Sequence, residues 1–140
     1  MNDRTIHVTR QDMARLRELI AASGVASGGD GRDHPYLYAL AAELDRAVVV
    51  AQNEIPPDVV TMHSRIRLRD GRNTWTMTLV FPERADSEND LISVLAPVGA
   101  ALLGCRVGQS VKFRVPGGEE RSCEILEVLY QPEAAGDLHL

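Results

Sequence analysis

Arginine recurs at every second position in Arg65, Arg67 and Arg69, and Arg72 follows three residues later. Alternate side chains of a strand share one face, so this spacing predicts a basic row on an exposed sheet surface. Guanidinium groups in a row suit a carboxylate-lined protein surface, because each fork donates paired hydrogen bonds to one carboxylate. A solvated strand face would carry the same pattern, so docking and simple solvation both remain open for these four arginines. Asp30 and Asp33 form a second group, inside a glycine-rich polar stretch. Two carboxylates on a projecting tip can share a divalent cation with an acidic site on a partner, although polar residues also collect at tips for no chemical reason.

Other reactive groups lack the companions that catalysis requires. His7, His34, His63 and His139 fall in a leader, a tip, a strand start and a tail, and no motif joins them to Cys105 or Cys123. Nucleophile and base are not assembled, and no catalytic residue is assigned. The stretches GGDGR and PGGEE lack the GxxxxGK[ST] pattern, and neither leads from a strand into a helix. They read as turns. The two cysteines have no CxxC spacing and sit in core-like sequence, which predicts buried thiols, a reducing cytosol and no bound metal or cofactor.

Two kinds of element must position these groups. Thr9 is placed to cap a helix, with Asp12 three residues on as the partner in a capping box. Met13, Leu16, Leu19 and Ile20 then recur at helical spacing, so a first helix is predicted over residues 10–23. Residues 23–34 contain four glycines and no periodic apolar residue, which breaks the helix. Pro35 opens a second helix, predicted to run to about residue 51, with Leu37, Leu40, Ala41, Leu44, Ala47 and Val48 as its stripe. Two narrow stripes joined by a polar loop predict a short antiparallel helical hairpin over residues 1–53. About 14 helical residues give an arm of roughly 20 Å.

The pair Pro56-Pro57 ends the helical region, and from Val59 the apolar period becomes two. Ile66 and Leu68 alternate with the arginines. Trp75, Met77, Leu79 and Phe81 alternate with threonines, and Asp70-Gly71 between the runs predicts a β-hairpin. A short strand over 92–95, a helical turn from Pro97 that Gly104 ends in the left-handed conformation, and a strand of Val111, Phe113 and Val115 follow. A last strand over 122–130 loses its alternation at Ile125-Leu126, which predicts a bulge. The fold class is α+β, with an antiparallel sheet of four or five strands and one short helix over residues 54–140.

Composition narrows the partners. The chain has 140 residues, 44% of them hydrophobic and 25% charged, enough for one ordinary domain with a short appendage. No apolar run approaches the roughly 20 residues of a membrane span, and the start of the chain lacks the apolar core of a signal peptide. A net charge of −5 and 4% aromatic residues argue against direct nucleic-acid binding.

The runs IPPDVVTMHSRIRLRD, TLVFPERAD, ISVLAPVGAALLGCRVGQSV and VLYQPEAAGD resemble the regulator of nucleoside diphosphate kinase (Rnk) family, relatives of the Gre transcript-cleavage factors. The likeness spans residues 42–140, and over residues 1–36 it is one of architecture. It implies an FKBP-like C-terminal domain and a cytoplasmic bacterial protein that docks on RNA polymerase near the secondary channel and competes with Gre-type factors. In Gre factors the tip carboxylates hold the cleavage metal; Asp30 and Asp33 occupy that region here without a clear acidic motif, so no cleavage is expected. Two other classes stay open: a peptidyl-prolyl isomerase, which the fold would allow, and a general protein-interaction adaptor.

Overall fold

The computed structural model describes residues 5–22, 35–114 and 118–138. Thr9 accepts a hydrogen bond from the Asp12 backbone N–H at 3.1 Å, and the helix α1 starts beside it, over Arg10–Ala22. The capping box is only half made. The Asp12 carboxylate turns away to accept from the backbone N–H of Met62 at 3.1 Å, so a residue placed by sequence as a local cap ties α1 to distant chain. Leu16 and Ile20 are buried, and Met13 and Leu19 pack against them as the helical stripe predicts.

The second helix, α2, covers Pro35–Arg46 and stops about five residues before the predicted end. Its stripe buries Leu40 and Leu44. Beyond it Val48–Val50 forms the strand β2, which pairs in parallel with β1, His7–Thr9. Three consecutive β-branched residues favour an extended backbone, and β1 offers them a ladder, so Val48 belongs to a strand and not to the helical stripe. Arg17 and Asp45 join α1 to α2 in an ion pair at 2.8 Å. Leu37's side chain, Val115 and all of residues 23–34 lie outside the described residues.

The main sheet has five strands: β3 (Arg65–Asp70), β4 (Asn73–Val80), β5 (Leu91–Ser93), β6 (Ser110–Arg114) and β7 (Glu120–Tyr130), in spatial order β5-β4-β3-β7-β6. The Asp70-Gly71 turn joins β3 and β4 antiparallel, with Gly71 at φ 62°. The expectation of a wholly antiparallel sheet fails at one edge, where β5 runs parallel to β4. Residues 81–90 carry the chain back across the sheet end before β5 begins, which reverses the direction a tight hairpin would have given. Two short helices complete the fold: α3, Pro97–Leu102, and α4, Pro132–Ala135.

Burial follows the two-residue period. Ile66, Leu68, Met77, Leu79, Val111, Cys123 and Ile125 are all buried, and they share one apolar cluster with Leu16, Ile20, Leu40 and Leu44 of the helices. Gly104 shows how close the contact is. At φ +77°, it lies where a Cβ would stand 2.5 Å from that of Ile6, just before β1, and its carbonyl accepts from the His7 N–H. Only glycine serves both needs. No described helix is long and apolar enough to cross a membrane.

Candidate functional site

The arginine row lies where its spacing puts it. Arg65, Arg67 and Arg69 are exposed on the outer face of β3, the central strand, and Arg72 is exposed in the β3–β4 turn. The row does not face solvent unanswered. β7 runs alongside, and its Glu124 and Glu127 form ion pairs with Arg69 and Arg67, the second at 3.7 Å. At the hairpin end Arg121 pairs with Asp70 at 2.7 Å. On the far side of β7, Lys112 and Arg114 of β6 stand opposite Ser122 and Glu120. The outer face therefore alternates basic, acidic and basic strands, which sequence spacing along one strand cannot reveal.

Bulges set this pattern. Arg69 and Leu68 stand opposite Glu124 and Ile125, Leu126 is skipped, and Arg67 meets Glu127; Leu129 is skipped next, and Arg65 meets Tyr130. The first bulge coincides with the break in alternation seen in the sequence. The second falls in the apolar run Val128-Leu129-Tyr130, where the alternation also fails, and leaves Leu129 exposed. The Tyr130 hydroxyl donates to the Asp137 carboxylate, a bond that holds the phenol up at about 12. Arg65 forms no ion pair among the described residues and lines an open cavity of about 250 Å³ with Thr76, Met77, Thr78, Asn89 and Asp90.

A second polar group sits where α1 meets the sheet. Asp12 is only 3% exposed. Burial, with a smaller push from Glu133, raises its carboxyl to about 7 against the opposing pull of the Met62 N–H and Arg15. Beside it the 61–64 turn is closed by Ser64, whose hydroxyl accepts from the Thr61 N–H at 2.9 Å, while the Thr61 hydroxyl donates to Glu133 at 2.7 Å. His63 occupies the turn at φ 69°, its ring 5.7 Å from that of Phe81. Arg15 lies over the Phe81 ring, 4.2 Å from its centroid. Burial first, then the Arg15 and Arg84 charges, holds His63 below its ordinary value.

The chain's end completes the joint. Gln131 is buried, caps α4 by accepting from the Ala134 N–H, and donates to the carbonyls of Pro56 and Val59. The Asp12–Met62, Thr61–Glu133 and Gln131–Pro56 contacts were not legible, since they span 50, 72 and 75 residues, whereas the Thr61–Ser64 bond is local. Cys105 and Cys123 are both buried, and burial pushes the Cys123 thiol up to about 11, which suits a core residue and not a nucleophile. No cluster of three metal-ligating side chains occurs among the described residues. Asp30 and Asp33 lie outside them, as do His34 and His139.

N-terminal helices packed on a mixed five-stranded sheet make this an α+β chain. A family model described as the transcription elongation factor GreA/GreB C-terminus matches residues 55–130, and the Rnk N-terminus model matches residues 4–50. The chain is 52% identical over 106 residues to the regulator of nucleoside diphosphate kinase of Escherichia coli K12, covering 74% of this chain and 77% of that one. It is 32% identical over 122 residues to the transcription elongation factor GreA of Pelobacter propionicus, covering 86% of this chain and 74% of the other. Among solved structures, a prokaryotic transcription elongation factor GreA/GreB from Nitrosomonas europaea superposes with a TM-score of 0.71 at 38% identity, over 90% of this chain and 98% of its own. The chain belongs to the regulator of nucleoside diphosphate kinase family, and its larger part is a Gre-type C-terminal domain.

Proposed function

We propose that this protein is a cytoplasmic, non-enzymatic transcription regulator that docks on RNA polymerase near the secondary channel and competes there with Gre-type factors without cleaving RNA. The observation that carries the reading is the GreA/GreB C-terminal match over residues 55–130, on a chain that superposes on a solved elongation factor nearly end to end. The sheet domain, residues 54–140 and FKBP-like in outline, is the docking part. Its outer face, with Arg65, Arg67, Arg69 and Arg72, meets carboxylates on the polymerase. The helical part, residues 1–53, forms a short hairpin whose tip carries Asp30 and Asp33 towards the channel.

Reach argues for occupancy without chemistry. The helices α1 and α2 have 13 and 12 residues, or about 18–20 Å at about 1.5 Å per residue. A carboxylate that positions a catalytic metal must be held within a few tenths of an ångström, and a glycine-rich tip on so short an arm is poorly suited to that. Prolyl isomerase activity needs an open aromatic pocket, and Phe81 is buried beneath Arg15. Net negative charge favours a protein partner over a direct nucleic-acid site. The reading is tested by passing purified core RNA polymerase over the immobilised full-length chain. Saturable binding that weakens with salt is expected, and no binding at low ionic strength would refute it.

A further inference from the structure

Within the β3 row, Arg65 forms no ion pair among the described residues, although Asp90 lines the same cavity. Arg69 and Arg67 are answered by Glu124 and Glu127, but the second bulge in β7 advances the register so that Tyr130 stands opposite Arg65. The Tyr130 hydroxyl is already committed to Asp137. On the other flank the cross-strand neighbour is Thr78, which carries no charge. Arg65 therefore presents its donors to the cavity of about 250 Å³ that it lines, whose β4 wall brings the Thr76 and Thr78 hydroxyls. The opposite wall is Asn89 and Asp90, fixed by the left-handed Asp90 and by the Asn89 amide donating to Asp86 at 2.6 Å.

We infer that this cavity receives a single carboxylate side chain from an acidic segment of a protein partner, with Arg65 as its anchor. The inference rests on the docking reading above and names the contact within it. A guanidinium fork matches one carboxylate in geometry and charge. Asp90 in the wall and Asp86 behind it oppose any anion, and a dianionic phosphate or a nucleic-acid backbone more strongly than the single negative charge of one carboxylate. Arg67 and Arg69 already spend their donors on β7, so a partner's acid gains less from them than from Arg65.

An acetylated, amidated tetraglutamate peptide titrated into the 15N-labelled full-length chain tests the site without the polymerase. Saturable shifts centred on the Arg65 Nε–H and the amides of Thr76, Thr78 and Asn89 are expected. Arg65→Gln should weaken the peptide's apparent dissociation constant by roughly fivefold, while Arg106→Gln, whose partner is Asp58, should leave it unchanged. Wild-type spectral dispersion in both variants excludes misfolding as the cause. Shifts centred elsewhere, an unchanged constant in Arg65→Gln, or an octathymidylate that moves the same amides at lower concentration would each overturn the inference. A parallel binding curve with RNA polymerase separates the two ideas. If polymerase binds wild type and Arg65→Gln equally, the anchor fails and the docking reading stands; if it binds neither while the peptide response centres on Arg65, docking fails and the cavity stands.

Discussion

Asp12 is one residue that the sequence placed in the wrong partnership. Its spacing from Thr9 reads as a capping box, but its carboxylate is buried against Met62 and close to Glu133, with its pKa raised to about 7. A carboxyl that titrates higher folded than unfolded contributes stability that is fully present below the unfolded value, near 4, and lost as pH rises through the folded one. The wild type should therefore lose about 2 kcal/mol of unfolding free energy between pH 5 and pH 8 through this group. Asp12→Asn keeps an oxygen for the Met62 N–H and cannot ionise. Urea unfolding of the two proteins should agree below about pH 4 and diverge progressively up to pH 8 with the variant the more stable; parallel pH curves would show that Asp12 does not titrate in that window. The arginines, by contrast, were legible, because alternation within one strand fixes their face. Their glutamate partners were not, because the register with β7 depends on two bulges and on which distant strand lies alongside, neither of which the spacing along β3 contains.

Among the elements, α1 began where Thr9 and the apolar stripe put it, and the β3–β4 hairpin followed from Asp70-Gly71 and the two-residue period. The errors arose where a distant segment decided the outcome. Val48–Val50 reads as the end of a helix until β1 supplies a parallel ladder, and β5 reads as antiparallel until the chain over 81–90 reverses its approach. The joint between β1 and the sheet domain turns on Gly104, where a methyl group would strike Ile6 in a backbone conformation that side chains resist. Gly104→Ala should cost at least about 2 kcal/mol, from strain and overpacking together. Gly108 has a similar φ of +94° but open space around it, so Gly108→Ala should cost only about 1 kcal/mol. Equal losses in denaturant unfolding would mean that the contact with Ile6 does not hold the two parts together.

At the scale of the whole molecule, one apolar cluster runs from Leu16 and Leu44 of the helices to Leu68 and Ile125 of the sheet. The buried Asp12, accepting from the Met62 N–H of the 61–64 turn, adds a polar tie across the same boundary. The helices α1 and α2 therefore share one core with the sheet. The class of fold and the larger part of the family resemblance were legible because strand alternation and the ISVLAPVGAALLG run lie close in sequence; the joint was not, because it is built from residues far apart. The central claim is occupancy of the polymerase channel without chemistry. Its most direct test is a stalled, backtracked elongation complex carrying a bound Gre factor, to which the full-length chain is added while displacement and RNA length are followed together. Displacement of the Gre factor, with the RNA left at full length, is expected. Cleavage by this chain alone, abolished in the Asp30→Ala, Asp33→Ala double variant, would contradict it and make those two carboxylates the metal-positioning groups.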